Sequence, residues 1–325
     1  MDAGGPAYDV VAPGEVMLRL AAPPPTRLEQ ARALDVSYGG TEANVLCALA
    51  RLGHRTAWIS ALPTNVWGER LGRELAGHGV DVQHVVWREG SRIGTYFIEY
   101  GVAPRPIRVV YDRQGSAFST LDDGEVDWAR LARARVVHLT GVTAALGPRP
   151  RRLFERALEE GRARGALVSL DVNYRAALWT PDAARAYLEP VLKRVGLLFV
   201  GVDDARRVFG AAGEPERVAA DLRTLAPEAI VALTLGDQGS VVLAERPSRP
   251  SRLYALDAVA DRVGAGDAFA AGFLHGWLTS GDAQRAQDLG TALAALKCTM
   301  WGDVAVIRRG ELEELLAQPD PRIRR

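Results

Sequence analysis

Short apolar runs alternate with longer amphipathic segments along much of the second half of the chain. The runs RVVHLTG (135–141), ALVSLDVN (166–173) and GLLFVG (196–201) are each followed by a segment with apolar residues at helical spacing. Continuous apolar strands separated by helices are typical of a parallel sheet that is covered on both faces. The alternation therefore predicts an α/β fold with helices at 149–164, 181–194, 202–208 and 214–225, followed by a strand, a glycine turn and a second strand at 229–245.

A different pattern interrupts this alternation at 92–118. Two strand-like runs, GTYFIEY (94–100) and IRVVY (107–111), are joined by a proline-containing turn. We expect them to pair with short strands near 17–20 and 33–38 in a small β lid. The remaining predicted elements are strands at 8–18 and 55–62 and helices at 41–53, 67–79, 267–279, 283–300 and 310–317.

The charge balance bears on the kind of partner. The 325 residues include 40 Lys and Arg and 40 Asp and Glu, so the formal net charge is zero. This balance gives no electrostatic reason to expect nucleic acid or an anionic membrane as the main partner. No run approaches ~20 uncharged apolar residues, the N-terminus lacks a signal-peptide pattern, and the two cysteines have no CxxC spacing. We therefore expect a cytoplasmic protein.

The segment DRVGAGDAFAAGF (261–273) places three small residues directly before Asp267, at the start of an apolar helix. A turn without bulky side chains lets backbone N–H groups converge, and the helix N-terminus adds a positive dipole end. Such a site stabilises charge on a phosphoryl group, and a neighbouring carboxylate can accept a proton from an attacking hydroxyl. The simpler alternative is that Asp267 only caps the helix.

Two further motifs accompany this one, YGGTEANVLCALARLG (38–53) and LTLGDQGS (233–240). In this order, the three resemble the motifs of the PfkB, or ribokinase-like, family of carbohydrate kinases, and the resemblance runs from about residue 8 to about residue 318. It implies a single ribokinase-like kinase domain over 1–325, with a Rossmann-like sheet and lid strands inserted at about 17–38 and 92–118. It also implies transfer of the γ-phosphate of ATP to a sugar hydroxyl with Mg²⁺.

The resemblance assigns roles to individual residues. Asp267 matches the catalytic base. The anion hole matches Gly264, Ala265 and Gly266; the sugar-binding loop matches Gly39, Gly40 and Asn44; and the nucleotide site matches Thr234, Gly236, Asp237, Gly239, Gly264 and Gly266.

The resemblance implies metal-binding roles at two positions. Asp261 stands where family members place a monovalent cation such as K⁺, although Arg262 replaces a threonine that many of them have after it. Asp204 stands where the family often has the glutamate of an Asn-x-x-Glu motif, and Gly201 replaces the asparagine. We expect Asp204 to act on Mg²⁺ through water.

The segments GTYFIEY (94–100), RVVYDRQGSA (108–117) and SLDVNYRAALW (169–179) are most similar to the 2-keto-3-deoxygluconate kinases within this family. This implies that Tyr96, Tyr111, Arg113 and Arg175 line the substrate site and that Asn173 faces the nucleotide phosphates. Arginine binds a carboxylate bidentately, so the two arginines suit an acid sugar. The alternatives are a solvated Arg113, an Arg175 that caps a helix or pairs with Asp171, and a Tyr96 that only packs in the lid.

Three other functions are alternatives for this sequence. Kinase chemistry on a neutral sugar, such as fructose or ribose, differs by not needing the arginine pair. A dinucleotide-dependent dehydrogenase is disfavoured because the first strand leads to APGEV, without GxGxxG. A non-catalytic sugar-binding regulator would not need Asp267 beside an intact anion hole. Apolar lid residues such as Phe97 and Val109 also predict a homodimer or higher homo-oligomer formed through the lid.

Overall fold

The computed structural model describes residues 7–101, 104–131 and 134–317. Its strands are β1 (Tyr8–Pro13), β2 (Met17–Ala21), β3 (Asp35–Gly39), β4 (Thr56–Pro63), β5 (Val80–Asp81), β6 (Val85–Arg88), β7 (Gly94–Glu99), β8 (Arg108–Asp112), β9 (Ala134–Thr140), β10 (Leu167–Asp171), β11 (Leu197–Gly201), β12 (Ile230–Thr234) and β13 (Ser240–Leu243). Its helices are α1 (Thr41–Arg51), α2 (Val66–Gly77), α3 (Trp128–Leu131), α4 (Gly141–Ala145), α5 (Pro148–Ala163), α6 (Pro181–Leu192), α7 (Val202–Phe209), α8 (Pro215–Leu225), α9 (Ala265–Ser280), α10 (Ala283–Lys297) and α11 (Arg309–Ala317).

The main sheet has the strand order β13-β12-β11-β10-β9-β1-β4-β5, and β6 also pairs with β4. All its pairs are parallel except the hairpin of β12 and β13. One apolar cluster joins α1, α9 and α10 to the sheet around Trp58 and Phe273, and another joins α5, α6 and α8 to it around Phe154 and Leu222. The predicted parallel sheet with helices on both faces is confirmed.

A second sheet of four strands has the order β3-β2-β7-β8. Strand β2 pairs with β3 in antiparallel fashion and with β7 in parallel fashion, and β8 completes the sheet as an antiparallel neighbour of β7. These are the partners that the sequence predicted for the lid.

The prediction of one strand over 8–18 is wrong, because the chain leaves the main sheet after β1 and enters the lid at β2. Gly14 lies at this break, and its carbonyl accepts hydrogen bonds from Nε1 of Trp58 and Oγ of Ser60 instead of pairing in a strand. A Cβ at Gly14 would stand 2.4 Å from Oε2 of Glu42, so a larger residue does not fit there.

The predicted helices agree with the observed ones to within a few residues, although α10 ends at Lys297 and not at residue 300. The strands β5 and β6 and the short helices α3 and α4 were not predicted, because segments of two to five residues carry too little periodicity. Among the helices of the described residues, none combines the length and the apolar character needed to cross a membrane.

Candidate functional site

The carboxyl ends of β10, β11 and β12 meet at one edge of the main sheet, and the lid stands over this edge. A cleft of about 500 Å³ lies between them. A second cavity of about 590 Å³ continues beyond it, and Thr234, Arg262, Gly266 and Phe269 border both. Ligands of open α/β sheets bind at this edge, so the two cavities form a candidate active site for two molecules that meet at Gly266.

Asp267 lies in the first turn of α9 and lines the cleft. The hydroxyl of Thr41 donates to its Oδ1 at 2.6 Å, and Nδ2 of Asn44 donates to its Oδ2 at 2.6 Å. Burial raises the pKa of this carboxyl, and the two hydrogen bonds oppose that rise. The capping alternative is wrong, because Gly264 is the N-cap of α9 and no side-chain cap is present there.

The two glycines before Asp267 are small for different structural reasons. Gly264 has a φ of 85°, and a Cβ there would stand 2.0 Å from the carbonyl oxygen of Asp303. At Gly266, by contrast, a Cβ would meet no atom within 4 Å among the atoms described, because this residue faces the open junction of the two cavities. The N–H of Ala265 donates to the carbonyl of Arg262 at 3.2 Å, so the N–H of Gly266 is the one that lies where an anion can reach it.

The glycines of the predicted sugar-binding loop allow close packing. A Cβ at Gly39 would stand 2.1 Å from the Tyr96 hydroxyl, and one at Gly40 would stand 2.1 Å from the carbonyl oxygen of Glu15. This close approach brings the N-terminus of α1, with Thr41 and Asn44, to the wall of the cleft.

The lid tyrosines line the same cleft. Tyr96 is buried, its hydroxyl donates to Oδ2 of Asp303 at 2.8 Å, and its ring stacks on that of Tyr111 at 5.9 Å between centroids. Tyr111 is 41% exposed. Tyr96 therefore packs in the lid and borders the cleft at the same time.

Arg113 and Arg175 both reach the cleft, from the lid and from the loop after β10. Arg113 is not solvated: its Nε and Nη2 donate to Oε2 of the buried Glu15 at 2.8 and 2.5 Å. Arg175 donates from Nη1 to the carbonyl of Tyr174 at 3.1 Å, and it forms no ion pair within the described ranges. The guanidinium of Arg175 can therefore form an ion pair with an anionic substrate.

Two partly buried acids, Asp171 and Asp204, stand at the strand ends on the other wall. Burial, and secondarily the charge of Asp267, raises the pKa of Asp171 to about 7, and burial also raises that of Asp204, whose Oδ2 accepts a hydrogen bond from the N–H of Tyr174. Asn173 has a φ of 40°, and its Nδ2 donates to the hydroxyl of Thr41 at 3.0 Å. Its buried Oδ1 has no hydrogen-bond partner among the described atoms, so a ligand in the cleft can complete it.

Asp261 lies outside the open cleft, in a buried cluster with Arg19 and Asp303. Its Oδ2 accepts from Arg19 at 2.5 Å and from the Tyr100 hydroxyl at 2.8 Å, and its Oδ1 accepts from the N–H of Val263 at 3.0 Å. Both carboxylate oxygens of the predicted cation ligand are therefore already engaged by protein donors.

Sequence reasoning missed four acidic residues that line the cleft, Glu15, Glu42, Asp171 and Asp303. Asp171 could have been predicted as a site residue from the sequence, because it ends an apolar strand at the carboxyl edge of the sheet. The position of Asp303 in the site could not have been predicted, because this residue approaches Gly39, Tyr96 and Arg19 only through the tertiary fold.

The predicted nucleotide residues Thr234, Gly236, Asp237 and Gly239 border the second cavity, where Gly236 and Gly239 have φ values of 65° and 87°. The opposite wall is largely apolar and consists of Leu253, Tyr254, Val259, Ala294 and Cys298. This pairing of a glycine turn with an apolar wall suits a flat base attached to phosphates.

The family model described as "pfkB family carbohydrate kinase" matches residues 8–307. The chain is 34% identical to a 2-dehydro-3-deoxygalactonokinase of Haloferax volcanii over 98% of this chain and 99% of that protein, and 34% identical to a 2-dehydro-3-deoxygluconokinase of Thermoproteus tenax over 94% of each. The crystal structure of a 2-dehydro-3-deoxygluconokinase from Thermotoga maritima has a TM-score of 0.90 at 33% identity, with 97% of this chain and 100% of that chain covered. The chain belongs to the pfkB family of carbohydrate kinases.

The cleft of this pfkB kinase suits the substrates of such an enzyme. Mg²⁺ binds through one or two carboxylates together with substrate phosphates, and it does not need a cage made only of protein ligands. The described ranges contain no group of three or more His, Cys, Asp or Glu side chains able to hold a metal. Asp171, Asp204 and the unpartnered Oδ1 of Asn173 line the cleft and are oxygen ligands of the kind that Mg²⁺ prefers, so the residues present fit this ion.

Proposed function

We propose that this kinase transfers the γ-phosphate of ATP to a hydroxyl of a 2-keto-3-deoxy sugar acid such as 2-keto-3-deoxygluconate. The observation that carries the proposal is the presence of Arg113 and Arg175 in the same cleft as Asp267. Arginine recognises a carboxylate, and the relatives described above are named for keto-deoxy sugar acids. The proposal explains why one cleft contains both a carboxylate beside the expected position of the sugar hydroxyl and arginines that can bind the sugar's carboxylate.

In this proposal Asp267 accepts the proton of the attacking hydroxyl. The hydroxyl oxygen then forms its bond to the γ-phosphorus while the bond from that phosphorus to the β–γ bridging oxygen breaks, which leaves ADP. The N–H groups of Gly264, Ala265 and Gly266 stabilise the charge on the transferred group, and that of Ala265 must leave the carbonyl of Arg262 to do so. Asn44 and Thr41 keep the carboxylate of Asp267 oriented toward the sugar.

The nucleotide would lie in the second cavity with its phosphates directed to Gly266. Thr234, Gly236, Asp237 and Gly239 would hold the nucleotide from the sheet side, and Asn173 would meet its phosphates. Bound Mg²⁺ would neutralise phosphate charge, with Asp204 and Asp171 as its nearest protein acids, acting through water. We keep the cytosol as the predicted location, because ATP is available there.

One observation favours kinase action on a neutral sugar as a second candidate. The positive charge of Arg113 is already balanced by the buried Glu15, so only Arg175 remains for an anionic substrate. A sugar acid must either share Arg113 with Glu15 or be held by Arg175 alone. Under the neutral-sugar reading, the Arg113–Glu15 pair would instead bind sugar hydroxyls.

An acceptor panel tests the proposal. The purified chain is assayed for ADP formation with Mg·ATP and 2-keto-3-deoxygluconate, 2-keto-3-deoxygalactonate, fructose or ribose. We expect kcat/KM for a keto-deoxy acid to exceed that for the neutral sugars at least about tenfold, the value of one charged hydrogen bond. A preference for fructose or ribose would establish the neutral-sugar candidate, and sugar binding without ATP turnover would identify a regulator.

We also propose that two copies associate through the lid. Strand β8 is an edge of the lid sheet, where Val110 is 40% exposed and shares its face with Phe97, its register partner on β7. Val109, which the sequence suggested as part of the same apolar face, instead lines the cleft. The outward-facing side of β8 is therefore the part of the lid available for pairing.

A further inference from the structure

Only two of the 40 lysine and arginine residues are lysines, Lys193 and Lys297. Lys193 is exposed at the end of α6, whereas Lys297, the last residue of α10, is fully buried. The chain thus has arginine at nearly all its basic positions and a lysine at a buried one. A compact ammonium fits a narrow site that a planar guanidinium does not, so the residue type itself points to a specific contact.

That contact is with the segment that leads into the anion hole. Nζ of Lys297 donates to the carbonyl oxygen of Asp261 at 2.9 Å and lies 3.5 Å from that of Met300. The N–H of Ala260 donates to the carbonyl of Cys298 at 2.9 Å, which ties the same segment to the end of α10. Asp261 is only three residues before Gly264, the N-cap of the catalytic helix.

Asp261 is therefore held from two sides. Lys297 binds its carbonyl oxygen, and Arg19 of the lid binds its carboxylate. Arg19 also pairs with Asp303, so the buried cluster contains two cations and two anions. A buried ammonium is costly unless it is paired and hydrogen-bonded, and the neighbouring carboxylates offset part of that cost.

The environment of Nζ has the chemistry of a site for a monovalent cation. Two backbone carbonyl oxygens face it, at 2.9 and 3.5 Å, and the side chain is buried. Burial lowers the pKa of Lys297, and the carboxylates of Asp261 and Asp303 oppose that effect by favouring its positive charge. Ammonium and K⁺ have the same charge and similar size, and both are bound by carbonyl oxygens.

We propose that Lys297 is a positioning residue whose ammonium fixes the Asp261–Gly264 turn and serves as the built-in cation of this site, so that the kinase needs no added monovalent cation. This inference rests on the proposed role of the 264–266 turn as the anion hole. It replaces the expectation that K⁺ binds at Asp261.

The first measurement uses the wild-type chain. ATP-dependent phosphorylation of the best acceptor is followed in KCl and in choline chloride at equal ionic strength, and we expect kcat to agree within about twofold. In Lys297→Met, which keeps the volume of the side chain, kcat should fall about tenfold or more, the scale for a disturbed anion hole. KM for the acceptor should change less than about threefold, because Lys297 does not line the cleft. Lys193→Ala, the exposed counterpart, should match wild type.

The second measurement is cation rescue of Lys297→Ala, in which the shortened side chain leaves room for an ion. KCl or NH₄Cl, but not LiCl, should raise its kcat several-fold and should also raise its thermal unfolding midpoint in the presence of a non-hydrolysable ATP analogue. The unfolding readout uses no sugar, so it stands whether or not the chain accepts a sugar acid.

Three results would overturn the inference. A wild-type chain that requires KCl for activity does not carry its own cation. A Lys297→Met variant with wild-type kcat removes the positioning role. A Lys297→Ala variant whose unfolding midpoint responds equally to KCl and LiCl has no cation site at this position.

Discussion

Asn44 on α1 donates a hydrogen bond of 2.6 Å to Asp267 on α9, although 223 residues separate them in the chain. Thr41, one helical turn before Asn44, binds the other oxygen of the same carboxylate. Since residues three apart share a helix face, one turn of α1 orients both oxygens of Asp267 before any sugar arrives. The predicted sugar-binding loop and the proposed base are thus a single unit.

Replacing Asp267 with Asn tests this unit. We expect kcat to fall by about 10²–10⁴-fold, because an amide cannot accept the hydroxyl proton. The KM for the sugar should change little, since Thr41 and Asn44 remain in place. A matched change, Thr41→Val, should keep the base but move the acidic limb of the kcat–pH profile upward, because a hydrogen bond to the ionised form is lost. An Asp267→Asn enzyme with more than about half of wild-type kcat would refute the base assignment.

The two arginines should differ in their effect on selectivity. Arg175→Leu should lower the ratio of kcat/KM for a keto-deoxy acid over a neutral hexose by about 10- to 100-fold, the value of one or two charged hydrogen bonds. Arg113→Leu should also reduce stability, because it leaves the buried Glu15 unpaired. The double change Glu15→Gln with Arg113→Leu removes that penalty and serves as its control. A ratio unchanged in both single variants would show that neither arginine reads the carboxylate.

Glu42 should make stability depend on pH. It is buried against the hydroxyls of Thr140 and Thr143, and burial raises its pKa from 4.5 to about 7. The folded protein therefore holds this proton more tightly than the unfolded chain. Its contribution to stability is complete below pH 4.5 and is lost as the pH rises through 7.

Glu42→Gln, which keeps the shape and the acceptor oxygen, should reduce the loss of unfolding temperature between pH 5 and pH 8. Thermal unfolding of both proteins across this range provides the measurement. Asp171, whose pKa is also raised to about 7, contributes in the same direction and remains in both proteins. If the two pH profiles of unfolding temperature are parallel, Glu42 is ionised in the folded state at neutral pH.

Lid closure should be largest at β8. Strands β2 and β7 are tied to the main domain, since Arg19 binds Asp261 and Asp303, and Tyr96 binds Asp303. Strand β8 has exposed residues at most of its positions. Phosphoryl transfer must exclude water as a competing acceptor, so hydrogen exchange over 104–112 should slow when sugar and an ATP analogue bind together. Equal exchange with and without ligands would argue for a lid that is fixed.

Association through the lid should depend on the outer side of β8. Val110→Glu places a charge on this face without altering Val109 or Tyr111, which line the cleft. We expect sedimentation velocity to show the wild type as a dimer or larger and the variant as a monomer. Val66→Glu, at a position that is 67% exposed on α2, is the matched control. A wild type that sediments as a monomer at micromolar concentration would exclude the lid interface.

The sequence alone determined the parallel sheet, the lid partners and the presence of a helix at the Gly-Ala-Gly-Asp motif. These follow from local patterns, because strand and helix periodicities and glycine turns are written in neighbouring residues. Only the tertiary structure decided how the charges are shared: Arg113 with Glu15, Arg19 with Asp261 and Asp303, and Lys297 with the carbonyl of Asp261. Each of these contacts spans 36 residues or more. Electrostatic energy depends on distance and burial in space, which no pattern of neighbouring residues contains.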